Sequence, residues 1–341
     1  ILAKTLEKAR WNGVSRRRNK ARKQGKLHGI GLALHMENAG LANEMAEIRF
    51  DPSGGVTVLS GAFSHGQGHE TTFAQLVSDR FGLPSENIQI VHGDTDKVQF
   101  GMGTYGSRSG AVGMSAIEKA LDKVEAKAKK IAAHMLEASE GDIEIKDGEV
   151  MVKGTDKKLL WHEICLGAYT AHNLPEDMEP GLKEGAFYDP ANFTFPAGCY
   201  ICEVEVDPAT GTTSIEQFVA ADDFGKIINP MIVAGQVHGG LAQGIGQALL
   251  ENAVYDDDGQ LLSASYMDYT MPRADDLPNF NVSTSETLSP SNPLGIKGCG
   301  EAGAIGSPPA VINAITDAIG NDNLIMPASP QNVWAAVQDS E

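Results

Sequence analysis

The 341-residue sequence predicts an α+β fold of two similar lobes, each with a mixed or antiparallel sheet and packed helices. A chain of this length is long for a single hydrophobic core. Residues 46–63 and 202–223 each consist of two β-prone runs around an Asp-Pro turn. Each of these hairpins precedes a helix that opens with Gly-Gln-x-His. The repeat indicates an internal duplication; the alternative is that hairpins with such turns are simply common.

The predicted organisation has three parts. Residues 1–27 form a basic helical lead-in, residues 28–180 the first lobe and residues 181–341 the second lobe. The boundary between the lobes is placed near 170–190, where proline and glycine are frequent. The lead-in holds ten of the 27 Lys and Arg residues. We interpret it as a solvated helical linker, and the alternative is a docking segment for an acidic partner surface.

The first lobe begins with a buried strand within residues 27–40 and continues with the 46–63 hairpin. A helix capped by Thr71 or Thr72 is predicted to end at Phe81, with Gly82 as its left-handed stop. The remaining predicted elements are a strand within 87–94, a glycine-rich loop at 101–113, a helix over 111–138, and a hairpin that turns at Asp147 and Gly148.

The second lobe begins with the 202–223 hairpin and ends with two helices. The first helix follows a third glycine-rich loop, with Ser307 as its predicted N-cap, Pro308 and Pro309 in its first turn, and Gly320 as its stop. A short last helix starts after Pro330. No apolar run reaches the ~18–20 residues that a membrane helix needs, and we recognise no signal peptide. Because the chain begins with isoleucine rather than methionine, we expect a fragment or a processed product.

Charge and cysteine content exclude some classes of function. The net charge of −18 argues against nucleic acid as the main partner, since phosphate backbones attract basic surfaces. The four cysteines, Cys165, Cys199, Cys202 and Cys299, suit a reducing cytoplasm better than a disulfide framework. Cys199 and Cys202 have the spacing of a metal or redox pair, but on a strand they face opposite sides and no second pair completes a site.

Glycine-rich loops at several helix entrances indicate a polar or phosphorylated ligand. Glycines let a charged group approach main-chain N–H groups, and the helix dipole favours an anion there. Neutral amides can do this in a protein of negative net charge. The loops match neither a Walker A sequence nor the usual dinucleotide fingerprint, so a nicotinamide enzyme is not expected.

Three side chains near these loops are candidates for chemistry. Gln67 and Gln236 can donate and accept hydrogen bonds, and could hold an oxo group without adding charge; alternatively, local backbone satisfies both. Glu301 stands among glycines at 298, 300, 303 and 306. Buried in a dry pocket, it would have a raised pKa suited to a general base. The alternative is that Glu301 only bonds nearby amides of its turn.

Four stretches, taken together, resemble a known family: GQGHETTFAQ, GTYGSRSG, INPMIVAGQVHGGLAQGIGQAL and NPLGIKGCGEAGAIGSPPAVINAI. They look like the molybdenum-binding subunit of the xanthine oxidase and aldehyde oxidase family, closest to the large subunit of aerobic-type carbon monoxide dehydrogenases. The likeness runs from about residue 29 to 332 in the family's order. Four long motifs in order are far more specific than any one of them.

The resemblance implies a molybdenum–molybdopterin cofactor, in its cytosine dinucleotide form, and oxidation of a small substrate with oxygen from water. Electrons would leave through 2Fe–2S clusters and FAD on partner subunits. Glu301 would be the catalytic base. The metal would be held through the pterin, with Gln67 near its oxo ligand. The residues implied in cofactor binding are Gly66, Gln67, Gly68, His69, Gly103, Thr104, Tyr105, Gly106, Ser107, Arg108, Ser109, Gln236, His238 and Gly300.

The resemblance covers only the second half of the family's molybdenum subunit, which here would be the second molybdopterin-binding domain. The first half, with its AYRC or AYRG loop over the metal, would have to come from a partner polypeptide, beside the iron–sulfur and FAD subunits. A second hypothesis is therefore a non-catalytic half-subunit that needs its missing half to bind cofactor. A third, an unrelated hydrolase using Glu301 with His69 or His238, lacks a nucleophile elbow and HExxH spacing. Carbon monoxide, an aldehyde, a purine or another heterocycle all remain open as substrate.

Overall fold

The computed structural model describes residues 1–339; the last two residues of the predicted second lobe lie outside this range. The helices are α1 (Leu2–Lys8), α2 (Val14–Lys23), α3 (His69–Phe81), α4 (Met114–Leu136), α5 (Trp161–Ala168), α6 (Pro230–Leu249), α7 (Ala302–Ile319) and α8 (Pro330–Gln338). The strands are β1 (Leu27–Met36), β2 (Glu44–Phe50), β3 (Val56–Ser60), β4 (Ile88–His92), β5 (Ile143–Lys146), β6 (Glu149–Val152), β7 (Lys158–Leu160), β8 (Leu182–Tyr188), β9 (Ala197–Val206), β10 (Thr213–Asp223) and β11 (Phe280–Ser285).

The chain divides into two compact units, and each is discontinuous in sequence. Unit 1 contains Ile1–Asn38, Phe195–Leu288 and Cys299–Glu341. Unit 2 contains Ala39–Thr194 and Ser289–Gly298. The lobes predicted from the sequence were continuous ranges, whereas β1, near the start of the chain, pairs with β9 and so belongs with the later hairpin.

Unit 1 is a four-stranded sheet in the order β1-β9-β10-β11. All pairs are antiparallel except β10 with β11. Helices α6 and α7 pack together, and α7 lies on β1 and β9. Their contact is close because a Cβ at Gly29 or Gly31 of β1 would overlap the backbone of α7. On the other face of the sheet, Ala9, which directly follows α1, is buried against Ile201 and Val219.

The basic lead-in forms α1 and α2, and both contact the rest of unit 1. Arg17 of α2 bonds Glu203 at 2.5 Å, and Lys26 bonds Asp207 at 2.7 Å. Arg18 pairs with Asp317 of α7. These ion pairs and the apolar contacts of α1 join the lead-in to the sheet of unit 1.

Unit 2 is a second four-stranded sheet, in the order β4-β3-β2-β8. All pairs are antiparallel except β3 with β4. Helix α4 packs on β2 and β8, and α3 packs on α4 and β4. A small antiparallel sheet of β5, β6 and β7 follows α4, with Asp147 and Gly148 at its first turn, both at positive φ as the predicted hairpin requires.

The two units repeat one plan, which agrees with the predicted duplication. In each, an antiparallel hairpin is followed by a helix and then by a strand parallel to the second hairpin strand. In each, an antiparallel strand flanks the first hairpin strand. This flanking strand precedes the hairpin in unit 1 (β1) and follows it in unit 2 (β8). The predicted fold class, two similar lobes with mixed sheets and packed helices, is confirmed.

Three predicted helix starts are wrong. The helix expected to open at Gly235 begins at Pro230 instead, with Asn229 as its N-cap. Helix α3 begins at His69, capped by Gly68 at φ 78°, and the Thr72 hydroxyl donates back to the carbonyl of Gly68. The left-handed glycine lets the helix begin earlier than either threonine. Helix α7 begins at Ala302, so Ser307 lies inside it and donates to the carbonyl of Gly303 at 2.6 Å.

The two prolines predicted for the first turn of the last long helix also lie inside α7. Proline removes a backbone donor and normally breaks a helix. The turn before it stays helical here because Ala302, Gly303 and Gly306 are buried in the core of unit 1. The stops at Gly82 and Gly320 are confirmed, both left-handed. No helix among the described residues is long and apolar enough to cross a bilayer.

Candidate functional site

The Gly-Gln-Gly loop connects β3 to α3 in unit 2 and fixes the side chain of Gln67. Gly66 and Gly68 have φ of 102° and 78°, which only glycine adopts readily. The Oε1 atom of Gln67 accepts hydrogen bonds from the backbone N–H of His65 and from Ser64 Oγ. The amide oxygen is thus used locally, and the Nε2 group has no hydrogen bond within residues 1–339. It stands as a neutral donor with two hydrogens.

The second glycine-rich loop is joined to the first. Thr104 Oγ1 donates to the carbonyl of Phe63 at 2.6 Å and lies 2.8 Å from Ser109 Oγ. The ring of His65 lies 3.3 Å from the carbonyl oxygen of Thr104. Unit 2 therefore brings together the loops that carry Gln67 and Thr104, which are some 37 residues apart in the sequence.

Arg108 holds the second loop from inside the protein. Its guanidinium and the carboxylate of Glu44 are both fully buried and 2.7 Å apart. The same guanidinium donates to three carbonyls, those of Leu41, Asn43 and Gly103, at 2.6–3.0 Å. Glu44 also accepts from the N–H of Met102. Arg108 thus bonds to groups within the protein and shapes the loop. The sequence placed Arg108 among the residues that contact the cofactor and did not predict this structural role.

A third predicted segment reaches the same loop in unit 2. A Cβ on Gly298 would overlap the backbone of Ser107, so the two segments touch main chain to main chain. Gly103, Gly106 and Ser107 have positive φ, so the loop turns sharply at these residues. Tyr105, next to them, is exposed.

His69 lies at the start of α3 as a buried, neutral imidazole. Its ring stacks on Phe73 with centroids 4.9 Å apart. Burial, together with the nearby His92, lowers the pKa of His69 to about 4 from 6.5. The ring therefore fits a role as an uncharged hydrogen-bonding group rather than a cation.

This shift predicts a specific acid sensitivity. The unfolded chain binds a proton at His69 below pH 6.5, and the folded chain does so only near pH 4. With respect to His69, the free energy of unfolding therefore has its full value above pH 6.5 and falls by about 3 kcal/mol between pH 6.5 and 4. We expect His69→Gln to flatten this fall in urea unfolding, while His134→Gln, at an exposed position of α4, leaves it unchanged. Equal pH slopes for wild type and His69→Gln would contradict the assignment.

In unit 1, helix α6 packs on α7 through glycines. A Cβ on Gly240 would lie 2.9 Å from the Cα of Gly303, and one on Gly244 would overlap the Ser307 hydroxyl. These glycines are explained by close packing of the two helices. On the same helix, Gln236 is half-buried and His238 is exposed.

Two further glycines of α6 have no such explanation. Gly235 and Gly239, one turn apart, are exposed, helical, and have no atom within 4 Å of an added Cβ. Each glycine lowers the stability of the helix by about 0.5–1 kcal/mol relative to alanine. Since neither conformation nor packing within the chain requires them, they leave a bare strip of helix backbone open to something outside the chain. Only Gln236 and His238 of this region were singled out from the sequence.

Glu301 occupies the N-cap position of α7, and its carbonyl accepts from the N–H groups of Ala304 and Ile305. Its side chain is exposed, unlike the dry environment expected from the sequence, and Gly300 is exposed beside it. The ring of His238 packs edgewise on Phe280 at 5.6 Å. Unit 1 thus packs residues 237–241 of α6 against Gly303 and Ala304, the residues that follow Glu301 in α7. Unit 2 brings together residues 64–69, 103–109 and 298.

No group of three or more His, Cys, Asp or Glu among the described residues is arranged to hold a metal ion. Unit 2 supplies neutral amides, a glutamine and a neutral imidazole, and unit 1 by itself supplies a glutamine, an imidazole and one carboxylate. This donor set fits a large, anionic, hydrogen-bonding group such as a pterin with its phosphate. The glycine strip of α6 fits the close approach of a flat ligand.

These features define a cofactor-binding domain, and residues 4–278 match the molybdopterin cofactor-binding domain family. The chain belongs to this family, which confirms the resemblance seen in the motifs. It is 41% identical over 329 residues to the carbon monoxide dehydrogenase large chain of Hydrogenophaga pseudoflava, covering 92% of this chain and 41% of the relative. It is 36% identical over 341 residues to the nicotine 6-hydroxylase large subunit of Paenarthrobacter nicotinovorans, covering 95% and 42%.

The structure agrees with the sequence relationship. The crystal structure of the Cu,Mo-CO dehydrogenase in its carbon monoxide reduced state matches with a TM-score of 0.93 and 36% identity, over 99% of this chain and 45% of that chain. The chain spans about two-fifths of the length of the curated relatives it matches.

Proposed function

We propose that this chain forms one part of the molybdenum site of an oxidoreductase of this family. It binds molybdopterin, in the cytosine dinucleotide form, together with a polypeptide that supplies the other half of the subunit. Partner subunits with 2Fe–2S clusters and FAD take the electrons. The substrate is a small molecule; the relatives are named for carbon monoxide and nicotine. Free cysteines at all four positions support a reducing compartment, the cytoplasm.

The bound cofactor supplies the redox chemistry, and the residues of this chain bind and orient. The Nε2 group of Gln67 donates a hydrogen bond without adding charge, with its direction set by the bond from His65 to Oε1. The loop 103–109, held by Arg108, offers main-chain N–H groups to the pterin and phosphates. Gln236 and His238 flank the glycine strip of α6. Glu301 serves as the general base, its carboxylate accepting the proton of the attacking water.

The observation that carries this proposal is the pair of bare glycines on α6. Gly235 and Gly239 lower the stability of the helix and serve no contact within the chain. A flat ligand lying on the helix backbone is the arrangement that requires them. The cost of the two glycines is then offset only when the ligand is bound.

The proposal is tested by assembling the chain with its partner polypeptides and measuring molybdenum by elemental analysis. We expect about one molybdenum per chain in the wild type. Gly235→Ala and Gly239→Ala are expected to raise the free energy of unfolding of the isolated chain by about 0.5–1 kcal/mol each and to lower the molybdenum content of the assembly.

Gly240→Ala is the matched control, because it lies on the same helix but against Gly303. It should destabilise the isolated chain. Full molybdenum content in Gly235→Ala and Gly239→Ala would remove the strip from the site, and a wild-type assembly free of molybdenum would overturn the proposed function.

A second candidate function is that of a non-catalytic half-subunit. It is favoured by the share of the relatives that the chain covers, between 41% and 45%. On this hypothesis the isolated chain holds no molybdenum and binds its partner polypeptide. Molybdenum in the isolated, purified chain would exclude this candidate.

A further inference from the structure

A buried polar cluster lies in unit 1 across three neighbouring strands. His35 of β1 and Asp222 of β10 both pair in register with Gly198 of β9, which lies between them. A Cβ on Gly198 would overlap both side chains. The glycine therefore lets the two side chains meet over the middle strand, where His35 Nε2 lies 3.3 Å from Asp222 Oδ1.

The cluster supports the first turns of α7. The ring of Tyr200, two residues along β9, packs edgewise on His35 with centroids 4.8 Å apart. A Cβ on Gly306 of α7 would lie 2.5 Å from the Tyr200 ring and 2.7 Å from the His35 ring. Helix α7 thus rests on both rings, one turn after Glu301 at its N-cap position.

Stability does not account for this cluster. The side chains of His35 and Asp222 are 4% and 0% exposed. The ring nitrogens of His35, the carboxylate oxygens of Asp222 and the hydroxyl of Tyr200 are buried without a well-aligned hydrogen bond within residues 1–339. Burial raises the pKa of Asp222, against the opposing effects of His35 and Tyr200. Apolar side chains of similar volume would stabilise the same position equally well or better.

The cluster also acts on the segment that carries Glu301. Burial, together with the charges of Glu37 and Asp222, raises the pKa of the Cys299 thiol to about 12. Cys299 lies two residues before Glu301, so the electrostatic field of Glu37 and Asp222 reaches the segment that carries Glu301. The titratable groups that face Asp222, besides His35, are Cys199 and Tyr200 of β9 and Cys299 before α7. Glu37, which follows β1, faces Cys299.

We propose that His35 and Asp222 are positioning residues for Glu301: the pair, with Tyr200, holds the segment 299–306 in one arrangement. This inference rests on the proposed function, in which Glu301 is the base. Because the pair lies under α7 and does not contact the reacting atoms, it acts through the helix and the loop. A general base displaced by a fraction of a hydrogen-bond length loses much of its effect.

Cys299 offers a readout that needs no cofactor. In the isolated chain, the pH dependence of Cys299 alkylation by iodoacetamide is followed by peptide mass spectrometry. Asp222→Asn removes one negative charge at nearly constant shape. We expect the alkylation midpoint to move to lower pH and the rate at pH 8 to rise by about threefold to tenfold, since the thiolate fraction grows.

A double variant separates positioning from stability. His35→Phe with Asp222→Leu keeps a ring under Gly306 and removes the polar pair, so the melting temperature should be equal or higher. Cys299 should still be alkylated faster, and in the assembled protein kcat should fall about tenfold or more at nearly constant KM. Should the double variant fail to fold, Asp222→Asn alone carries the same two measurements.

Glu205→Gln is the control, since it removes one negative charge from the opposite end of β9. It should match the wild type in alkylation and turnover. Wild-type alkylation profiles and wild-type kcat in Asp222→Asn and in the double variant would overturn the inference. That outcome differs from failure of the proposed function, in which the wild-type assembly itself contains no molybdenum.

Discussion

Replacing Glu301 with glutamine in the assembled protein is expected to abolish turnover while molybdenum stays bound. Glutamine has nearly the same shape as glutamate but cannot take a proton near neutral pH. General base catalysis contributes about 10²–10⁴-fold in rate, so kcat should fall by at least about 100-fold. The measurement is steady-state turnover, with the molybdenum content of the same preparation determined in parallel.

Asp317→Asn is the matched control for this substitution. Asp317 lies near the other end of α7 and pairs with Arg18, so its change neutralises one carboxylate on the same helix far from the N-cap position. It should leave kcat within about twofold, as surface ion pairs contribute little. Turnover retained in Glu301→Gln would remove this residue from the mechanism even if the cofactor proposal stands.

Replacing Arg108 with methionine is expected to lower the free energy of unfolding more than any of the other single substitutions proposed above. It leaves the carboxylate of Glu44 buried without a counter-charge and leaves three carbonyls without their donors. Breaking a buried ion pair from one side costs about 3–5 kcal/mol. The loss should appear as a lower midpoint in urea unfolding and as faster proteolysis within the loop 103–109.

The matched control is Arg49→Met, which breaks the pair between Arg49 and Glu47 on the exposed side of β2. That change should cost less than about 1 kcal/mol. In the double variant Arg108→Met with Glu44→Leu, much of the lost stability should return, because no charge stays buried. A loss no larger than that of the control would show that Glu44 and Arg108 are not buried as a pair in solution.

The sequence predicted those parts of the fold that depend on neighbouring residues. The two Asp-Pro hairpins follow from alternating apolar residues around a turn, and the stops at Gly82 and Gly320 follow from the left-handed φ that glycine adopts at low cost. The family could be named because its motifs are long, contiguous and in a fixed order. The three glycine-rich loops were found for the same reason, since each is a local cluster of one residue type.

The start of α7 could not be predicted from neighbouring residues. Local preferences place the N-cap at Ser307 before two prolines, yet burial of Ala302, Gly303 and Gly306 extends the helix by six residues, to an N-cap at Glu301. The N-cap position of Glu301, and with it the direction of the proposed base, is a consequence of that burial.

By itself, the sequence determined which loops approach a ligand and to which family the chain belongs. Only the tertiary structure decided that Arg108 pairs with Glu44, that His35 meets Asp222 over Gly198, and that two of the five interior glycines of α6 remain bare. Each of these depends on residues that are distant in the chain and adjacent in space. Burial and pairing of charges are properties of such contacts, and no local pattern of residue types encodes them.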